Sequence, residues 1–539
     1  MLKHFIGLIF CCATMSTQAQ KLIKEFTPGS GSTYFYFMGN TQNGFIMNVY
    51  NSNTGVEPWV SDGTSNGTKI LQDIIPGNMN SLFNNECYSN DTLLYFFAFR
   101  NNGRNSVDLW RTDGTVTGTF FIDSMENIYP NKYYGDAMFY KGEFYYFTSS
   151  PSYKTLYATD GSRNKPRKIY TFKDSNYASR SNIKIFNDRL YFYGNDPKHG
   201  VELWSTDGTS AGTKLVFDLY TGSKSSMYNN GQLLACRDKL FFVAQRDFRE
   251  GYELFYISSI NGGPWLFNDY TPNSGISSFV SLAEGNDSFF FFNVMNTSPP
   301  QSFVSDGNMD NTRKFHNPKD PEPNEYYYTY GVQRTPNFTL VSSYTNGTGL
   351  EFFKSDPQLN NLGLLRDINP GIGSSLNGNI SKIFEVNGKA YFLGFNFMLG
   401  NDIWVTDGTT DSTIIYFEFP NNNQNTSDIL HQWNNRLFFA ETVDLNIGTE
   451  LYELNINRNT GIVEHDLSTY SIYPNPIRAG EQLHLPETIT QISMYNSMGQ
   501  LVWQEETKDG NCQIPENLCA GLYHLFLDHN TAPIKIILQ

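Results

Sequence analysis

Glu202-Leu203-Trp204-Ser205-Thr206-Asp207-Gly208-Thr209-Ser210-Ala211-Gly212-Thr213-Lys214-Leu215-Val216-Phe217-Asp218 decides how the chain is read. It holds two short strand patterns, one with Leu203 and Trp204 and one over Leu215 to Phe217. Asp207-Gly208 joins them as a turn, because Gly accepts positive φ and Asp can hydrogen-bond the neighbouring backbone.

The stretch recurs. Aligning on its aromatic gives Trp59, Trp110, Tyr157, Trp204, Phe255, Phe303, Phe353, Trp404 and Tyr452, at spacings of 51, 47, 47, 51, 48, 50, 51 and 48 residues. The turn recurs with it at Asp62-Gly63, Asp113-Gly114, Asp160-Gly161, Asp306-Gly307 and Asp407-Gly408; the units at Phe255 and Tyr452 have lost the pair. An aromatic strand precedes each unit's key aromatic, as at Leu94 to Phe99 or Lys239 to Val243, and a shorter strand lies ahead of that. Four short antiparallel strands in about 50 residues match one propeller blade. A lone sheet of this kind cannot bury both faces, so blades are expected to stack radially, with the repeated Trp between them.

The expected fold class is therefore all-β, a β-propeller of eight or nine four-stranded blades followed by a small C-terminal β-sandwich. Nine units exceed the usual range of about four to eight blades, and an open solenoid is the alternative. Lys21 to Gly29 resembles the end of a unit, so it is expected to supply the outer strand of the last blade and close the ring. Pro318 to Asn337, with Pro321, Pro323 and Pro336, reads as a long surface loop.

Composition agrees. The chain is too long for one core at 539 residues, and its 16% aromatics and 44 Gly favour strands and tight turns. The formal charge is 38 − 53 = −15, an acidic balance that argues against nucleic acid as a partner. Residues 1–19 read as a signal peptide: Lys3 and His4, an apolar Phe5 to Thr14, then Thr17-Gln18-Ala19 before a cut ahead of Gln20. No later run is apolar enough for a transmembrane segment in the mature chain. Cys87, Cys236, Cys512 and Cys519 remain after cleavage, too few for a disulfide scaffold, with Cys512 and Cys519 close enough in sequence to pair or to stay as two free thiols.

The repeat ends near Asp466, giving a propeller over 20–466 and a C-terminal domain over 467–539. That domain carries Tyr473-Pro474-Asn475-Pro476, Met494-Tyr495-Asn496 with Gly499-Gln500-Leu501-Val502, Gly521-Leu522-Tyr523, and Lys535 to Leu538 at the terminus. In these motifs it resembles the type A sorting domain of the type IX (Por) secretion system, with Cys519-Ala520 as a departure before Gly521. The resemblance implies a Bacteroidota-type bacterium, export through the periplasm, interaction with the type IX machinery, and release or attachment at the outer surface. It assigns the sorting motif to Tyr473, Pro474, Asn475, Pro476, Gly499, Gly521, Tyr523 and Lys535. The repeats likewise resemble the Glu-Leu-Trp-x-x-Asp-Gly-Thr repeat family, which has no single agreed activity. Asp91-Thr92-Leu93, Asp123-Ser124-Met125 and Asp411-Ser412-Thr413 resemble the O-glycosylation triplet of such bacteria, and plain turns explain them equally well.

Catalytic signatures are scarce. There is no His-Glu-x-x-His, no phosphate-binding Gly-Lys-Ser/Thr loop and no Cys-x-x-Cys. His199, His316 and His431 are isolated and read as surface-loop residues. Asp108, Glu202, Glu253, Glu351, Asp402 and Glu450 recur at one unit position, which points to a structural role rather than a unique active site. One carboxylate per Asp-Gly loop is poor for Ca²⁺, which wants about six to eight oxygens. No cofactor, metal or catalytic residue is assigned. The expectation is a secreted or outer-surface binding protein for a glycan or a protein; the alternative is a secreted polysaccharide hydrolase or lyase with its site in the propeller funnel.

Overall fold

The computed structural model describes residues 20–538 apart from 30, 83–85, 100–105, 127–136, 150–152, 174–181, 228–230, 248–250, 259–261, 271–279, 287, 295–300, 316–326, 336, 357–358, 360–361, 377–381, 398–399, 420–428, 445–446, 457–476, 486–490, 497–500, 508–510, 519–520 and 528–533. The chain builds nine four-stranded antiparallel blades. Blade 1 runs from the channel outward as Phe35–Thr41, Gly44–Asn51, Gly55–Ser61 and Lys69–Ile70. Blade 4 runs Lys184–Phe186, Arg189–Asp196, Gly200–Thr206 and Lys214–Leu215. Each blade is a meander, because short turns can only join antiparallel neighbours.

Blade 9 is the exception in connectivity. Its three inner strands are Leu430–Trp433, Arg436–Asp444 and Gly448–Leu454, and its outer strand is Gln20–Lys24 from the other end of the chain. Gln20 lies opposite Leu454 and Leu22 opposite Tyr452. The N-terminal segment thus closes the ring, as its sequence led one to expect.

Packing counts the blades independently. Each interface between neighbouring blades has its own apolar cluster, and there are nine: Phe97 with Phe144 between blades 2 and 3, Phe147 with Phe192 between 3 and 4, and so on to Phe45 with Phe438 between 9 and 1. An open row of nine sheets would have eight such interfaces. The second strands supply most of this core: every residue of Leu94–Phe99 is buried. Closure removes the unpaired sheet ends that a solenoid would expose.

The nine repeated aromatics occupy one place. Each lies on the third strand opposite a second-strand residue, as in Met47 and Trp59, Phe96 and Trp110, Phe192 and Trp204, or Phe439 and Tyr452. Trp204 is 6% exposed and packs at 5.0 Å against Phe172 of blade 3, so it bridges blades as expected.

One expectation needs correction. The stretch from Pro318 to Asn337 is not all loop: Tyr327–Arg334 is the innermost strand of blade 7, paired with Thr339–Thr345. Tyr327 and Thr329 alternate inward and are buried, a period-two signal masked by the flanking prolines.

The C-terminal part has a separate core around Leu483, Ile492, Met494, Ile514, Leu525 and Ile536. A four-stranded sheet in the order Leu501–Glu506, Gln491–Asn496, Gly521–Leu527, Ile534–Leu538 accompanies a two-stranded one of Gln482–His484 and Asn511–Gln513. The short strand Asn511–Gln513 has no clear alternation in sequence.

Candidate functional site

The recurring ionisable residues belong to the architecture. Glu57, Asp108, Glu202, Glu253, Glu351, Asp402 and Glu450 are all buried near the start of a third strand. Glu57 shares the position although Pro58 hides the match. Glu57, Glu202, Glu253, Glu351, Asp402 and Glu450 hold the segment leading to the next blade. Glu202 accepts from Leu219 N at 3.3 Å and from Ser226 N at 3.1 Å, and the Ser226 hydroxyl donates to it at 2.5 Å. Glu57 uses Ile74 N and Ser81, and Glu351 uses Ile368 N, Asn369 N and Ser375. At ring closure the partner comes from the N-terminus, for Glu450 accepts from Phe26 N at 2.6 Å and Thr27 N at 3.1 Å. Burial outweighs these hydrogen bonds and pushes the carboxyls of Glu57, Glu202, Asp402 and Glu450 up to about 7, and Glu351 to about 8.

The Asp-Gly turns are equally committed. Asp207 Oδ1 accepts from Thr209 N at 2.9 Å and Thr209 Oγ1 at 2.7 Å, while Thr213 Oγ1 donates to Thr206 Oγ1 at 2.8 Å. Asp62, Asp113 and Asp407 repeat the bonds to the following Thr. This is the Asx-type bonding read from the sequence. The turns also dock on the preceding blade, which the sequence did not reveal. Arg167 donates to Gly208 O at 2.7 Å, Arg111 to Gly161 O at 3.1 Å, and Arg436 to Asp62 O and Gly63 O at 3.2 and 3.1 Å. Gly208 has φ +95°, and a Cβ there would stand 2.5 Å from Tyr145 Oη, so both conformation and contact require glycine.

The histidines divide. His199 is half-buried on the second hairpin of blade 4, with Nδ1 2.8 Å from Asp196 Oδ2. Burial opposes ionisation of Asp196, but hydrogen bonds from His199 and from the Lys198 and His199 N–H groups hold its carboxyl below the ordinary range. His431 is not the surface-loop residue expected. It lies buried on the innermost strand of blade 9, stacked on Phe37 at 5.0 Å, with Nε2 2.8 Å from Asn40 Oδ1. Burial, then the nearby Lys382, lowers it to about 3, so it stays neutral. It was missed because Leu-His-Gln-Trp shows no clean alternation. His316 lies outside the described residues.

Side chains on the innermost strands tie neighbours together across the channel wall. Asn40 donates to Gln432 O at 3.1 Å, Gln432 to Glu385 O at 2.8 Å, Gln333 to Ile383 O at 2.6 Å, and Ser89 to Asn40 O at 2.5 Å. Among the described residues, no three His, Cys, Asp or Glu side chains cluster as a metal site. No helix among them is long and apolar enough to cross a membrane.

Cys512 is a buried free thiol pointing to Leu483 O at 3.8 Å, and Cys519 lies outside the described residues. Of the expected sorting residues, Tyr473, Pro474, Asn475, Pro476 and Gly499 also lie outside them. Gly521 pairs with Leu538, buried Tyr523 with Ile536, and Lys535 with His524, so these three belong to one hairpin of the C-terminal sheet. In the glycosylation-like triplets, Thr92 is exposed in a hairpin turn, Ser124 Oγ is buried in an outer strand, and Ser412 is bonded to Asp407 and Thr409.

Comparison with known proteins bears on the C-terminal part. Residues 471–539 match the secretion system C-terminal sorting domain. No curated protein matches the chain. Among solved structures, it is similar to PorZ, an essential bacterial surface component of the type-IX secretion system of Porphyromonas gingivalis. That match has 10% identity and a TM-score of 0.32, over 92% of this chain and 74% of that one. It is also similar to the β-propeller domain of the Trilobed protease from Pyrococcus furiosus (11%, TM-score 0.33, covering 63% and 96%) and to prolyl oligopeptidase B from Galerina marginata (12%, TM-score 0.37, covering 65% and 53%). Likenesses this distant say nothing of activity. The sorting domain bears on destination: the chain is a nine-bladed β-propeller carrying a type IX sorting domain, and so a secreted or surface protein.

Proposed function

We propose that the chain is an exported or cell-surface binding protein whose propeller presents a site for a glycan or a protein. In this reading residues 1–19 are the signal peptide, 20–466 the propeller and 467–539 the domain handed to the type IX machinery. Tyr473, Pro474, Asn475, Pro476, Gly499, Gly521, Tyr523 and Lys535 form its sorting motif. The repeats are of the Glu-Leu-Trp-x-x-Asp-Gly-Thr kind. The observation that carries the reading is the sorting domain at 471–539 behind a ring whose repeated carboxyls are occupied in holding turns and connectors. Repeat positions are thereby spent on architecture, and recognition falls to residues that depart from the repeat.

Deleting Tyr470 to Gln539 is expected to leave a folded propeller trapped in the periplasm, read by cell fractionation. Normal amounts of the truncated chain at the cell surface would contradict the sorting role. A glycan array run beside an activity screen on the same polysaccharides separates binding from catalysis. The second reading, a polysaccharide hydrolase or lyase, draws on His199 and Asp196 at 2.8 Å. It predicts turnover that His199→Ala abolishes.

A further inference from the structure

Blade 1 carries an unpaired polar side chain at a buried position that six of the other blades fill with an apolar or aromatic one. The second-strand residue opposite Pro58 is Asn48. The equivalent residues are Phe97, Phe147, Tyr193, Val243, Leu393 and Ala440 in six blades, with Asn293 and Ser342 the other polar ones; Asn293 Oδ1 accepts from the Ser302 hydroxyl and from Thr329 N. Asn48 is 2% exposed, and its Oδ1 has no hydrogen-bond partner among the described residues. Ser342, by contrast, donates to Gly331 O. A buried amide oxygen left unpaired is destabilising where an apolar side chain would pack, so the fold does not account for Asn48.

Its surroundings are a square of cross-strand neighbours. Asn48 lies opposite Tyr36 on the innermost strand, and two pairs further on, past Val49 and Phe35, Tyr50 lies opposite Tyr34, joined by Tyr50 N to Tyr34 O at 3.0 Å. Directly paired residues share a face of the sheet, so Tyr34, Tyr36, Asn48 and Tyr50 project together. Tyr34 is 54% exposed and Tyr50 39%, while most other aromatics of the inner two strands are buried. Lys382 of blade 8 brings Nζ to 5.8 Å from the Tyr36 ring, which places the square beside the central channel.

We infer that this square is a subsite for a neutral pyranose ring of a surface or environmental polysaccharide. Tyr34 and Tyr50 form the stacking platform, and Asn48 Oδ1 accepts a sugar hydroxyl. Paired tyrosines give a flat, amphipathic contact at low entropic cost, and one buried amide fixes orientation, the division of labour usual in ligand sites. Asn48 is buried while Tyr50 is partly exposed, so the Tyr50 ring must move aside to admit the hydroxyl to Oδ1. The inference rests on the binding reading above and names its ligand class and place.

The test titrates the full chain with maltohexaose, cellohexaose, xylohexaose and mannohexaose, following tyrosine fluorescence and heat, beside Tyr34→Ala, Tyr50→Ala and Asn48→Leu. Asn48→Leu installs the residue that blade 8 uses. Binding of at least one hexasaccharide is expected. Each tyrosine variant weakens it by about tenfold, the loss of one stacking contact. Asn48→Leu abolishes binding while Tm stays level or rises. A hexasaccharide that binds wild type and all three variants equally would overturn this subsite but leave the binding reading standing. No binding by wild type to any of the four would overturn the ligand class. A fall in Tm for Asn48→Leu would show that the amide serves the fold, and would also overturn the inference.

Discussion

Trp204 shows how one side chain can carry a blade interface. Its ring packs on Tyr170 at 5.5 Å and Phe172 at 5.0 Å from blade 3, and against Gly194 of its own blade, where a Cβ would come within 2.7 Å of it. Trp204→Ala is expected to destabilise the propeller by about 3–5 kcal/mol, through lost burial and a cavity that two rigid sheets cannot collapse around. Urea denaturation checks it, and a loss under about 1 kcal/mol would mean the indole contributes little. The burial of this residue was legible because its repeat fixes its place on a third strand. Asn48 was not legible in the same way. A lone Asn in a strand looks like noise until pairing shows that six other units place an apolar or aromatic residue there, and that the other Asn, Asn293, is hydrogen-bonded. His431 failed for the opposite reason, since an isolated His in a polar stretch carries no sign of the Phe37 ring stacked upon it.

At the scale of the element, the working part is the carboxyl that ties a third strand to its connector. Glu202→Ala strands Leu219 N, Ser226 N and the Ser226 hydroxyl together, so a loss of about 2–4 kcal/mol is expected, with Glu202→Gln costing less because its carbonyl still accepts. Paired urea titrations of the two variants test this, and equal losses would contradict it. The same carboxyls set a pH dependence. Raised to about 7, or about 8 for Glu351, they bind more protons in the folded state than in the unfolded one, where values near 4.5 apply. Their contribution is complete below about pH 4.5 and is lost as pH rises through about 7 to 8. His431, lowered to about 3, works in the other sense, its contribution being lost as pH falls from about 6.5 toward 3. The urea midpoint should therefore be higher at pH 5.5 than at pH 8.5, and Glu351→Gln should flatten the difference. A midpoint that rises with pH would contradict the assignment. Sequence spacing alone showed that these carboxyls are structural. It could not show what they hold, because the partners lie in connectors of varied sequence, 17 to 24 residues downstream for Glu202 and at the other end of the chain for Glu450.

For the whole molecule, periodicity carried the reading a long way. Nine aromatics at near-constant spacing imply nine sheets, and the unit-like fragment Lys21 to Gly29 implies a shared last blade. Left open was eight blades against nine, since nine units exceed the usual range of about four to eight. Packing decides it: the cluster joining Phe45 and Met47 to Phe438 and Leu451 exists only if the two ends of the repeat meet. Interblade docking by Arg111, Arg167 and Arg436 was hidden, because a unit's own sequence does not show which carbonyl of its neighbour an arginine reaches.

The most direct test of the closed ring is a cross-link between its ends. Lys21 faces Glu453 across the closing strand pair, with the side chains 3.9 Å apart. In the variant Lys21→Cys with Glu453→Cys, mild oxidation of the native protein should form an intramolecular disulfide in nearly every molecule, seen as a mobility shift on a non-reducing gel and absent when oxidation is done in urea. Oxidation that yields no shift, or only cross-linked dimers, would contradict a ring closed by its own N-terminal strand.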